Sequence, residues 1–140
     1  MALPSTTRSL PMSLVRAREA VMIPIRAMLH KSGLTEQQWR ILRVLEECGP
    51  IDATKLSRRA GLLAPSLTRI IDAMSEKELV SRQPDPNDRR RQVISLLPDG
   101  KAVIDDNQAE AIEIAQGFRD RLGDENYEDL LDLLDQLIVR

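Results

Sequence analysis

Three aromatic residues, Trp39, Phe118 and Tyr127, are all that this chain of 140 residues carries. Its apolar content is therefore Leu, Ile, Val, Ala and Met, which suits the packing of helices. A single cysteine, Cys48, excludes an internal disulfide, and a reducing cytoplasm is the expected compartment. With His30 as the one histidine, nucleophilic sites built on His or Cys and the usual zinc sites lack parts. No Gly-rich phosphate loop is present, and the acidic residues near the end are spaced as a solvated helical face. The sequence thus points away from catalysis, a cofactor or a metal. It also lacks an apolar run of about 18 residues, which excludes a membrane-spanning helix. Residues 1–12 hold no apolar stretch of signal-peptide length.

What is there is enough for one folded unit. A hydrophobic fraction of 42% supports a core, and the length fits one domain, expected over 1–140. The net charge of −2 conceals a strong polarity along the chain. Residues 1–53 balance at +2, residues 54–97 at +4 and residues 98–140 at −8. A nucleic-acid binder needs local positive potential, not a high overall pI. The middle of the chain meets that need, and the acidic end would have to point away from phosphates.

Hydrophobic spacing predicts six helices and one hairpin. The first helix spans Leu14 to Lys31, with Leu14, Val21, Met22, Ile25 and Met28 at helical intervals and Pro24 expected to kink it. Thr35 and Gln38 form a capping box at the start of the second, which carries Trp39, Leu42, Val44 and Leu45 and stops at Gly49-Pro50. Asp52 caps a short third helix containing Leu56 and Ala60, and Gly61 turns the chain. Ala64-Pro65 opens a fourth, with Pro near the position helices tolerate best and Leu67, Ile70, Ile71 and Met74 as its buried stripe. Extended runs follow at Leu79–Gln83 and Gln92–Leu97, joined by a long loop from Pro84 to Arg91. A long helix then runs to about Leu122. Gly123 breaks it, and Asp124 is expected to cap a last helix rich in leucine.

A short helix, a Gly turn and a second helix make a helix-turn-helix, and the hairpin behind it makes a wing. The fold class is mainly α with a small β-hairpin, a winged helix-turn-helix over 34–97. The second helix of such a pair presents its early residues to base edges in the major groove. Its outward face here carries Ser66, Thr68 and Arg69, with Ala64 and Pro65 beside them. Arg69 is suited to bidentate pairing with guanine, worth about 1–3 kcal/mol of discrimination. Arg89, Arg90 and Arg91 are expected together at the tip of the wing. A narrow minor groove concentrates negative potential that attracts arginine, and Asp88 can hold one of the three by a charge-assisted hydrogen bond. Two blander readings stand beside these, a solvated helix face and a surface loop with weak ion pairs.

These stretches resemble the MarR family of bacterial regulators over roughly residues 10–138. The resemblance is carried by 34–45 (LTEQQWRILRVL), by 65–71 (PSLTRII), and by 85–90 (DPNDRR) followed by Val93 and Leu96. Within the family, Ala17-Arg-Glu-Ala20 and the segment around Trp39 are most similar to repressors of homoprotocatechuate degradation operons. The resemblance implies a homodimer built by the first and last helices (10–33 and 98–140), recognition of double-stranded DNA around Ser66, Thr68 and Arg69, and wing insertion through Arg90 oriented by Asp88. It further implies a repressor released from a palindromic operator by a small aromatic carboxylic acid, such as a hydroxylated phenylacetate. The apolar stripe of the last helix also asks for a partner, and a two-fold dimer would set its reading helices about 34 Å apart, one turn of DNA.

Three departures from the family pattern matter. Glu78 stands where glycine is usual, which calls for a left-handed backbone at a cost of about 1 kcal/mol or for a different helix end. Leu97-Pro98-Asp99 replaces a threonine cap, and Pro98 can serve as the first helical residue. The first helix has no sensing cysteine, and Cys48 is expected to be a small packed residue. An acid-binding slot needs a cation or donors beside apolar walls. Arg16, Arg40 and His30 are the candidates, with Arg18 and Arg26 also near the dimer lobe. The rival function is a winged-helix module that binds proteins and has no sequence-specific hold on DNA.

Overall fold

The structure, a computed structural model, describes residues 2–138, so Met1, Val139 and Arg140 of the expected 1–140 domain lie outside it. Two compact units divide the chain, Met1–Asn107 and Gln108–Arg140. The first holds α1 (Leu10–Lys31), α2 (Glu36–Cys48), α3 (Ala53–Ala60), α4 (Ala64–Glu76), three strands and the start of α5 (Pro98–Leu122). The second holds the rest of α5 and α6 (Asp124–Leu137).

Local chemistry sets most of the boundaries. The Thr35 hydroxyl accepts from the Gln38 amide at 3.1 Å while the Gln38 side chain accepts from the Thr35 amide at 3.1 Å, a complete capping box on α2. Asp52 Oδ1 accepts from the Lys55 amide at 3.0 Å and caps α3. Gly61 takes a left-handed conformation (φ +66°) between α3 and α4, as a tight turn requires. Pro65 sits in the first turn of α4, where a missing N–H costs nothing. Leu67, Ile71 and Met74 of α4 pack against Ile41, Leu42, Leu45 and Leu56, all at most 3% exposed.

Four expectations are corrected. First, β2 (Val80–Asp85) and β3 (Asp88–Leu96) leave only Pro86 and Asn87 as a loop, so the long 84–91 loop does not exist. Pro and Asp content suggested a loop, but the turn needs only the Asp85 carboxylate, which accepts from the Asn87 amide at 2.8 Å. Secondly, Ile51–Asp52 form a short strand, β1, that pairs with β3 through Ile51↔Ile94 and gives a three-stranded antiparallel sheet in the order β1-β3-β2. A strand of two residues has no alternation to read. Thirdly, Cys48 is exposed at the last position of α2, because that turn has passed beyond the buried face that ends at Leu45. Fourthly, Gly123 (φ +86°) is the N-cap of α6 and makes no side-chain bond, while Asp124 is the first helical residue, where its charge still favours the helix start. In addition α1 begins four residues earlier than expected and continues through Pro24.

Glu78 adopts the left-handed conformation (φ +61°), the one non-glycine residue with positive φ among the described residues. Pro98 opens α5 as expected. Gly100 in the first turn of α5 permits close approach: a Cβ there would clash with the Leu79 carbonyl oxygen. That carbonyl also accepts from the Leu97 amide at 3.0 Å, so the segment after Glu78 is anchored to the start of α5. In the second unit, Arg119 pairs with Glu128 and lies 4.4 Å from the centre of the Tyr127 ring. Leu130, Leu131, Leu133 and Leu137 of α6 are exposed.

Candidate nucleic-acid interface

The first unit brings α3, α4 and the β2–β3 wing around one cleft of about 590 Å³. Asp52, Ala53 and Thr54 line it from the start of α3, Thr68 and Asp72 from α4, and Arg82, Arg90, Arg91 and Gln92 from the wing. Thr68 is exposed, and its hydroxyl donates to the Ala64 carbonyl at 3.3 Å in the absence of another acceptor. Arg69 is exposed, and Ser66 is half-buried. Both line a second cavity, of about 350 Å³, against Thr35, Gln37 and Gln38 of α2. The sequence-predicted reading residues therefore share α4 but front two different cavities.

The wing arginines do not stand at a loop tip. Asp85 pairs with Asp88 and Pro84 with Gln92, so Arg89, Arg90 and Arg91 are extra residues on β3 with nothing opposite them. Pro84 has no N–H for the ladder, which favours an irregularity at this place. The three side chains leave the sheet in different states. Arg90 is 92% exposed yet held, its Nε donating to Asp88 Oδ1 at 3.2 Å and its Nη2 to Asp88 Oδ2 at 3.4 Å. Asp88 also accepts from the Arg90 amide at 3.1 Å. These bonds, the side-chain ones foremost, hold the Asp88 carboxyl below its ordinary pKa. Arg91 leans toward Asp52, with 3.8 Å between the charged atoms, and toward Asp88 at 3.7 Å. Arg89 has no carboxylate within ion-pairing distance among the described residues.

Sequence reasoning missed a second set of cations. Lys55, Arg58 and Arg59 occupy one face of α3 at i, i+3 and i+4 spacing, opposite buried Leu56 and Ala60. All three are exposed and, like Arg69, have no carboxylate within ion-pairing distance among the described residues. The signal was present in the chain: residues 53–71 contain four cations and no Asp or Glu. Elsewhere several cations are paired, Arg43 with Glu46 at 2.8 Å and Lys101 with Asp105 at 2.6 Å among them.

The three candidates for an acid-binding slot are not brought together. His30 lines a cavity of about 270 Å³ with Arg26, Leu29, Leu34, Thr35, Glu36 and Gln37. Arg16 instead donates to the Thr6 carbonyl at 3.0 Å. Arg40 reaches toward the turn between α3 and α4, its Nη1 3.5 Å from where a Cβ on Gly61 would sit, and its Nε is buried without a hydrogen-bond partner among the described residues. Arg18 and Arg26 surround Glu36, at 2.7 and 3.7 Å, and the Arg18 hydrogen bond above all lowers the Glu36 pKa. Among the described residues no His, Cys, Asp and Glu cluster could hold a metal ion, and no helix is long and apolar enough to cross a membrane.

Comparison with known proteins places this arrangement. The MarR family model matches residues 34–91, the span from the capping box of α2 to the arginine bulge. The chain is 36% identical over 129 residues to the HTH-type transcriptional regulator FarR of Neisseria gonorrhoeae, covering 92% of this chain and 88% of that protein. It is 38% identical over 131 residues to the homoprotocatechuate degradative operon repressor of Escherichia coli, covering 94% and 88% respectively. The crystal structure of NadR in complex with 4-hydroxyphenylacetate superimposes with a TM-score of 0.84 at 36% identity, covering 98% of this chain and 97% of that one.

Proposed function

The chain belongs to the MarR family, and from that premise we propose that it is a cytoplasmic, non-enzymatic transcriptional repressor that binds a palindromic DNA operator as a homodimer and releases it when a small aromatic acid binds. The observation that carries this reading is the set of exposed cations along α3, α4 and β3. Lys55, Arg58 and Arg59 on α3, Arg69 on α4 and Arg89 on β3 have no carboxylate within ion-pairing distance among the described residues, and Arg90 on β3 is 92% exposed. Exposed cations left unpaired on the helix-turn-helix and its wing fit a polyanion, since each phosphate neutralised releases counterions.

Roles follow from position. Ser66, Thr68 and Arg69 on α4 read base edges in the major groove. Arg90, pre-set by Asp88, enters the minor groove, and Arg89 and Arg91 flank it on the phosphates. Lys55, Arg58 and Arg59 run along the backbone and carry no sequence information. The relatives named for homoprotocatechuate degradation and for a 4-hydroxyphenylacetate complex support a hydroxylated phenylacetate as the releasing acid. His30 offers a donor to its carboxylate beside apolar Leu29 and Leu34. Arg40, near the Gly61 turn, is placed to pass a change on to α4, and Arg16 is the remaining cation of α1 for the acid. Release requires that the acid favour a conformation whose two reading helices are wrongly spaced for DNA.

A salt titration of duplex binding tests the interface. Affinity should fall steeply and linearly with salt on logarithmic axes, and Arg58→Gln with Arg59→Gln should flatten the slope by about 0.9 for each phosphate left unneutralised. A salt-independent affinity would contradict the reading.

A further inference from the structure

Asp72 is an anomaly in the proposed interface. It lies one helical turn beyond Thr68 on α4 and lines the same cleft, so it puts a negative charge on a surface meant for phosphates. Coulomb repulsion alone would make it a liability for binding. Its carboxylate is nevertheless engaged in an ion pair with Arg82 of β2. Arg82 pairs directly with Ile94 across the sheet and shares the strand face of buried Val80, so its stem leaves the wing on the side that meets the helices. On the other wall of the cleft, Asp52 draws Arg91 toward α3. The wing is thus tied at two points, and the tie to α4 joins the element that reads bases to the element that carries Arg90.

We propose that Asp72 is a positioning residue, a carboxylate kept on the DNA-facing side to hold the wing, through Arg82, at a fixed setting from the reading helix. This role rests on the DNA-binding reading given above. Both partners are partly exposed, with side chains 32% exposed for Arg82 and 51% for Asp72. Such a pair adds little to stability. Its consequence is geometric: a wing free to swing away from α4 loses the simultaneous fit of two grooves, as misplacement of any preorganised group does.

The sign of one substitution separates this role from simple electrostatics. Asp72→Asn removes a negative charge, so electrostatics alone predicts tighter DNA binding. Positioning predicts several-fold weaker binding at an unchanged salt slope and a nearly unchanged melting temperature. It also predicts loss of the hydroxyl-radical protection of the minor groove beneath the wing, with protection under the reading helix retained. Arg82→Gln should behave alike, and the double variant should be no weaker than the worse single one, because both remove the same tie. Binding of the full-length chain to a selected duplex should be compared across these variants. Equal or tighter binding by Asp72→Asn would overturn the role, as would additive losses with a flatter salt slope for Arg82→Gln, which would make Arg82 a phosphate ligand. If the unmodified chain binds no duplex, the DNA-binding reading falls and this role with it. If it binds while Asp72→Asn is not weakened, only this role falls.

Discussion

Glu78 holds a left-handed backbone at the end of the turn that follows α4, a conformation that suits glycine. The family resemblance signalled this strain, since Glu78 stands where glycine is usual before Leu79 and Val80. Glu78→Gly should relieve about 1–2 kcal/mol of strain, offset by about 0.4–1 kcal/mol of added freedom in the unfolded chain. A net gain of about 0–1.6 kcal/mol is expected in chemical denaturation. Glu36 tests the charged side of the same lobe. Arg18, Arg26 and Arg40 together lower its pKa from the ordinary 4.5, the Arg18 hydrogen bond contributing most. A depressed carboxyl stabilises the fold at pH values above its unfolded-state pKa and loses that contribution as pH falls through the depressed value. Glu36→Gln should therefore destabilise the protein near neutral pH. The gap to the unmodified protein should close below pH 4.5, as followed by thermal melts across an acid series.

At the level of elements, capping chemistry was the most legible signal. Thr35 with Gln38, Asp52 and Gly61 each mark a boundary by a local rule that tertiary packing did not override. The outward placement of Thr68 and Arg69, with Ser66 half-buried, followed from the period of Leu67, Ile71 and Met74, which fixes the buried face. The wing was harder. Pro84, Asp85, Pro86 and Asn87 read as a long loop by composition, yet strand pairing continues to Asp85 and resumes at Asp88. Pairing partners far apart in sequence decide that extension, and no local pattern encodes them. Nor could spacing separate Arg89, Arg90 and Arg91, whose differences arise from where Asp52 and Asp88 sit in space. Arg90→Ala should weaken binding to all duplexes alike and flatten the salt slope, whereas Arg69→Ala should relax base preference with a smaller loss of non-specific affinity. Equal salt slopes for Arg90→Ala and the unmodified protein would count against the wing role.

For the whole molecule, the charge polarity read from the chain follows the order of its elements. The acid-free stretch 53–71 and the arginine bulge fall in α3, α4 and β3, and the acidic excess of residues 98–140 lies in α5 and α6, of which the start of α5 belongs to the first unit. Leu14, Val15, Val21 and Ile23 of α1 remain exposed in the single chain, as do Leu130, Leu131, Leu133 and Leu137 of α6. Apolar side chains in such number on two helices support burial against a second copy. Leu133→Glu should shift the protein toward monomer in analytical ultracentrifugation and weaken DNA binding in proportion, since one half-site then carries the whole affinity. A dimer unaffected by that change would remove α6 from the interface.

The central claim is sequence-specific binding by a two-fold dimer, and selection from a pool of random duplexes at near-physiological salt, with the bound fraction sequenced, tests it most directly. The account predicts an enriched palindrome whose half-sites lie about one helical turn, roughly 34 Å, apart. Binding that enriches no sequence at all would contradict it.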